Sequence, residues 1–243
     1  MLTSLEAIVL RPTPFQEGGL VVSFLTEHGE RVTGLAKGAR RPSAKWVSAF
    51  EPLSLVKVAF FGKEQSEIRR ITRCELVQSP LALGHLEASL AMACLADGFD
   101  RVAKEGVEDA RLYRLLSACG RALKAAPDRA FDILAWAEHW LLHCLGLLPS
   151  GKACGRCGDA EADFVALSDE RGWLCARCAG LEPREALPAG VKARLAALRS
   201  AAAEAAPPLD TPAARAVADL LRARLLRELG DLGSYRVLHR MTP

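Results

Sequence analysis

The chain has 243 residues, half of them hydrophobic and a quarter charged, with a net charge of only +3. That balance belongs to a globular chain with material for one large domain or two to three small ones, and it excludes a polycation, so any nucleic-acid surface must be a local patch. The amino terminus, MLTSLEAIVLRP, has no basic segment ahead of an apolar run, and the longest largely apolar stretch, 88–96, sits between Glu87 and Asp97, far short of the roughly 20 residues that cross a bilayer. The expectation is a cytoplasmic protein with no leader and no membrane association.

The first 80 residues read as strands. LEAIVLR (5–11), GLVVSFLT (19–26), RVTGLAK (31–37), LSLVKVAFF (53–61) and SEIRRITRCEL (66–76) are short runs rich in Val, Ile, Leu and Phe. Gly- and Pro-containing breaks separate most of them, and EHGE (27–30) reads as a tight turn. Five strands are too few for an ordinary sandwich and suit a small closed barrel, of which the OB-fold is the common five-stranded case.

Near Pro80 the period changes. GHLEASLAMACLADGFDRVAKEG (84–106) reads as a helix, and a second follows at about 108–125. In the second, Leu112, Leu115, Leu116, Cys119 and Leu123 form one apolar stripe, with Arg111, Arg114, Arg121 and Lys124 on the other side. A third helix is expected to start at Asp132 as N-cap and, being apolar nearly all round, to be buried. Two helices then close the chain, one after Pro188 and one with Pro212 in its first turn and Gly230 past its end. AAAEAAPPLDTP (201–212) between them reads as a flexible connection. The expected fold is α+β: a five-stranded OB-fold barrel over 1–80, then an all-α domain (81–150 and 183–243) carrying a four-cysteine zinc-ribbon insert at 151–182.

The insert carries the strongest motif. Cys154-x2-Cys157-x17-Cys175-x2-Cys178 has the two-knuckle spacing of a structural zinc site: each pair grips the ion from one turn, and two pairs complete a tetrahedron. Gly155 and Gly158 let the chain bend around the sulfurs, and FVALSDERGWLC (164–175) reads as a hairpin that returns the second pair to the first. In a reducing compartment a disulfide framework is excluded. Four thiolates close the coordination sphere, so the one ion is structural; spacing alone leaves iron open beside zinc. Cys74, Cys94, Cys119 and Cys144 are scattered among apolar residues and read as core.

Other constellations fail. His139 and His143 are four apart on a helix, but Trp140 occupies the position where a metalloprotease motif needs its glutamate. There is no G-x-x-x-x-G-K-[ST] and no G-x-S-x-G, and nothing points to catalysis. Trp136 and Trp140, one turn apart, read as core.

One stretch asks for a partner. Between Arg31 and Phe50 lie Arg31, Lys37, Arg40, Arg41 and Lys45, with no Asp or Glu. On a loop joining barrel strands, Lys37, Arg40 and Arg41 can track a phosphate backbone, with Gly34 and Gly38 permitting close approach. Arg11, Lys57, Arg69, Arg70 and Arg73 extend the patch, Lys45 is peripheral, and Phe15, Trp46, Phe50 and Phe61 are the aromatics available for stacking.

EAIVLR (6–11), TEHGERVTGLAKGARRP (26–42) and a helix ending LGLLP (145–149) that leads into the cysteine pairs together resemble the RecO family of bacterial repair and recombination mediators, over nearly the whole chain and in order. The resemblance implies a non-enzymatic protein that binds single- and double-stranded DNA and anneals complementary strands. With RecR it would help load RecA onto DNA coated by single-strand-binding protein (SSB), whose acidic tail it would bind. No nucleotide and no small-molecule substrate are implied. Arg111, Arg114 and Arg121 are the candidate cations for that tail. The competing reading is an RNA-processing factor or enzyme that uses barrel and ribbon for its substrate.

Overall fold

The computed structural model describes residues 2–16, 18–39, 47–61, 68–79, 84–180 and 186–241. They fall into two compact units, Met1–Ala130 with Leu229–Pro243, and Phe131–Glu228.

The first unit is built on a closed barrel of β1 (Leu2–Phe15), β2 (Gly19–Thr26), β3 (Arg31–Ala36), β4 (Leu55–Phe61) and β5 (Arg69–Gln78), in the order β1-β2-β3-β5-β4. All pairs are antiparallel except β3 with β5. Alternating side chains along each strand set the two faces. Val9, Val22, Phe24, Val32, Val56, Val58, Phe60 and Ile71 point inward, and Phe24 meets Phe60 edge-on at 5.8 Å. Each fully buried side chain of this size contributes about 1.5–3 kcal/mol. Phe50 is also in this core, so it is unavailable for stacking on a base.

β1 runs past Arg11, the expected end, to Phe15. Its residues 2–8 pair with β4 and 7–15 with β2, so beyond Ile8 the strand has one neighbour. Pro12 and Pro14 fit there because a strand paired on one side has amides that no ladder needs. Gly34 faces inward: a Cβ on it would lie 2.7 Å from both Phe60 Cε1 and Ile71 Cγ1. Its missing side chain makes room for the core and does not, as the sequence reading had it, admit a phosphate.

Around the barrel lie α1 (Leu86–Val102), α2 (Ala110–Ala125) and α7 (Gly233–Met241). The Asp109 carboxylate caps α2 by accepting from the Arg111 amide at 3.1 Å. The Tyr113 hydroxyl donates to Glu6 on β1 at 2.9 Å. α7 was not foreseen; it buries Tyr235 and Leu238 and packs on α1.

The second unit holds α3 (Ala130–Cys144), the hairpin β6 (Ala166–Ser168) and β7 (Gly172–Leu174), the short α4 (Ala176–Ala179), α5 (Val191–Ser200) and α6 (Pro212–Leu229). α3 is buried from Ile133 through His139, as its composition demands. Asp132 does not cap it. A 3-10 turn at Pro127–Arg129 feeds straight into the helix, and the Asp132 carboxylate instead accepts the Leu209 amide at 2.9 Å. The expected flexible connection is tied down: Ala201 O accepts from Trp136 Nε1, Pro208 O accepts from Arg194, and Ala203 and Ala206 are buried. Thr211 Oγ1 accepts the Ala214 amide and starts α6.

Candidate nucleic-acid surface and metal centre

The four cysteines come together. Their sulfurs all lie within 4.8 Å of one another, and Cys157 and Cys175 are 3.9 Å apart. A tetrahedron with metal–sulfur bonds of ~2.3 Å has edges of about 3.8 Å, so the set fits one ion. Local chain geometry makes this possible. Gly155 lies so close to the β7 end of the hairpin that a Cβ would come within 1.6 Å of Arg171 O, and its amide donates to Trp173 O at 2.8 Å. The β6–β7 register, Ala166 opposite Leu174 and Ser168 opposite Gly172, then delivers Cys175 beside Cys154.

The electrostatics favour thiolate at Cys154 and Cys157. The amides of Cys157 and Cys175 lower Cys154 to about 6. Cys157 is lowered by the Asp159 amide and by Arg177, whose Nη2 lies 3.5 Å from its sulfur. Cys178 moves the other way, to about 12, through burial and the neighbouring sulfurs. A cation placed among them supplies the compensating charge. Among the described residues this is the one cluster able to hold a metal. His139 and His143 are joined by no third ligand among the described residues.

The insert is also braced. Asp163 accepts the Lys192 amide at 2.8 Å and that of Gly190, at the start of α5. Asp169, at the hairpin tip, pairs with Arg224 at 2.6 Å and Arg227 at 3.0 Å on α6.

The basic residues divide. Arg40, Arg41, Lys45 and Trp46 lie outside the described residues. Lys37 is exposed directly after β3, and the turn continues through Gly38 at φ 69°. Arg70 is exposed on the outer face of β5. Lys57 also faces out, between Glu6 on β1 and Glu75 on β5, and Arg73 pairs with Glu75. Arg11 turns to α1 and meets Asp97 at 3.0 Å and Asp100 at 3.2 Å, so it is not grouped with Lys37 and Arg70.

On α2, Arg111 folds back onto Asp109 at 2.7 Å, Arg114 is exposed, and Arg121 donates to Ser117 Oγ at 2.9 Å. Arg121 also edges a cavity of about 90 Å³ lined by Ile8, Leu53, Leu55, Leu116 and Gly120. Sequence reasoning had the cations of this helix but not the cavity, which depends on how α2 lies against the barrel.

No described helix is long and apolar enough to cross a membrane. Residues 1–80 match the family described as "Recombination protein O N terminal", and 84–236 match "Recombination protein O C terminal". The DNA repair protein RecO of Anaeromyxobacter sp. (strain K) is 32% identical over 98% of this chain and 96% of its own length. That of Koribacter versatilis is 30% identical over 72% of each chain, and that of Bacillus pumilus 25% identical over 75% of this chain and 71% of its own. A barrel, helices and a four-cysteine cluster in this order, matched along nearly their full length, place the chain in the RecO family of DNA repair proteins.

Proposed function

We propose that the protein is a non-enzymatic mediator of DNA repair and recombination. It binds single- and double-stranded DNA, anneals complementary strands in the cytoplasm and, with RecR, helps RecA onto SSB-coated DNA. What carries the reading is membership of a DNA repair family over both halves of the chain, joined to a closed barrel whose outer side bears Lys37 and Arg70. Arg40, Arg41 and Lys45 complete the phosphate-contacting set. Arg11, held by Asp97 and Asp100, is its weakest member. Cations that displace condensed counterions make affinity fall steeply with salt.

The four cysteines hold one zinc ion through Cys154, Cys157, Cys175 and Cys178. All four positions are protein thiolates, so the ion supplies folding energy and no reaction. The cavity edged by Arg121, with Arg114 on the same helix, is the proposed seat of the SSB tail: apolar lining for its terminal side chains and guanidinium groups for its acids.

The test is annealing of complementary oligonucleotides, bare and SSB-coated, without nucleotide. Acceleration that Arg40→Ala/Arg41→Ala reduces, with a flatter salt dependence of binding, is the expected result. A folded wild-type chain that neither binds nor anneals DNA, but binds RNA, selects the RNA-processing reading. Tail-peptide affinity unchanged in Arg114→Glu/Arg121→Glu removes the proposed seat.

A further inference from the structure

The outer face of the barrel carries an aromatic ring that its core does not use. Along β4, Val56, Val58 and Phe60 point inward, so the next residue, Phe61, points out, and it is 59% exposed. Strand register fixes its neighbours. Phe61 stands opposite Arg70 on β5, and Arg70 stands opposite Leu35 on β3. Partners across a ladder share a face, so ring, guanidinium and Leu35 form one outward row over three strands. Ile68, directly before β5, is 49% exposed, and Lys37, two residues past Leu35 in the turn after β3, is exposed.

Single exposed apolar residues are ordinary on protein surfaces. This one differs in its company. It stands beside an exposed guanidinium, with an exposed lysine two residues past Leu35 in the turn after β3, and the row Leu35–Arg70–Phe61 contains no carboxylate. Among the described residues, the acids next along that face are engaged: Glu75 by Arg73, and Glu6 by the Tyr113 hydroxyl. A ring with cations along one side is a combination that holds a base by its face and the adjoining phosphates by charge. Bases inside a duplex are stacked on each other, so a ring projecting from a barrel wall can reach only an unpaired one.

We propose that Phe61 is a base-stacking residue for single-stranded DNA, with Arg70, and Lys37 beyond it, holding the adjoining phosphates on the β5–β3 side of the ring. This rests on the DNA-binding reading above and adds to it the residue that separates single strands from duplex. Phosphate contacts alone are blind to that difference, since both forms present phosphates; a stacking ring is not.

Binding of the full chain to three labelled ligands of equal length tests it: oligo(dT), a duplex, and an abasic strand. Phe61→Ala is expected to weaken oligo(dT) binding about tenfold, to leave the duplex within about twofold, and to match wild type on the abasic strand. Phe61→Trp restores oligo(dT) binding. Arg70→Ala weakens all three and lowers the salt slope by about one. If wild type binds oligo(dT) and Phe61→Ala binds it equally well, the stacking role is overturned while DNA binding stands, and a protein-docking patch becomes the explanation of the exposed ring. Equal losses on all three ligands also overturn it, because the ring then acts through the barrel and not through a base. A wild-type chain that binds none of the three fails the underlying reading and this inference with it.

Discussion

Arg11 and Asp97 join the barrel to its first helix. The guanidinium leaves β1 where the strand shifts register, between Val9 and Arg11, and reaches the carboxylate at 3.0 Å. The same carboxylate accepts the Ser234 amide at the start of α7 at 3.3 Å, so one acid ties a strand, a helix and the chain's last helix. Arg11→Ala is expected to cost stability only about 0–1 kcal/mol, as for partly exposed pairs. It should change DNA affinity less than Arg70→Ala does, because two acids already neutralise Arg11. Asp97→Ala removes both bonds and should cost about 1–2 kcal/mol. Urea midpoints and parallel salt titrations check the pair. An Arg11→Ala salt slope that flattens as much as Arg70→Ala would put Arg11 on the DNA.

Glu138 is 1% exposed and accepts two bonds from Arg222, at 3.0 and 3.3 Å. Removing the cation leaves a charge in the core of the second unit. Arg222→Ala should therefore cost roughly 3–5 kcal/mol, and Glu138→Leu/Arg222→Leu should recover most of it, since the pair's own desolvation penalty disappears with it. Chemical denaturation of the single and double variants measures this. A double variant as unstable as the single would show that the ion pair itself is strongly stabilising.

How much of this was legible in the sequence depends on what each feature requires. The strands show as Val-, Ile-, Leu- and Phe-rich runs between breaks, and the four-cysteine cluster in its spacing, because both are local. β1's passage through Pro12 and Pro14 is not local: it is allowed only because β4 pairs with residues 2–8 alone. α7 was missed because Gly230 read as the end of the last helix, whereas α7 is held by burying Tyr235 and Leu238 in the first unit. Phe60 and Phe61 are indistinguishable as letters at the end of LVKVAFF. Only register parity sends one into the core and the other into solvent. Arg11 reads as one more cation until Asp97 and Asp100, some 90 positions on, fold up beside it.

The metal insert should behave as a brace for the second unit. Burial pulls the Asp163 carboxyl upward, but the Gly190 and Lys192 amides outweigh it and hold the group below its usual range. Asp163→Ala is expected to cost about 0.5–2 kcal/mol, as loss of a helix cap does. Chelation, or Cys154→Ser, should release one zinc per chain and loosen the hairpin. Trp173, buried and stacked on Phe164 at 5.9 Å, then reports a red-shifted emission. Because Asp163 sits between the cysteine pairs, amide exchange at the start of α5 should rise at the same time. Exchange in α5 that ignores chelation would show that the cap stands without the metal.

His139 supplies a pH test. It is 2% exposed, neither ring nitrogen has a hydrogen-bond partner, and its rings stand beside Trp140 and His143. Burial, then the charges of His143, Arg199 and Arg194, lower it from 6.5 to about 4. The folded state thus refuses a proton that the unfolded chain accepts between pH 6.5 and 4. Stability from this group is full above the unfolded value and is lost as pH falls through that window, by about 3 kcal/mol in all. His139→Leu should remove that part of the acid sensitivity and be neutral or stabilising at pH 7, since no bond is lost. Urea midpoints of wild type and His139→Leu at pH 7 and pH 4.5 give the comparison, the shared acid effects on the cysteines cancelling between them. Equal pH slopes in the two proteins would place His139 in contact with water.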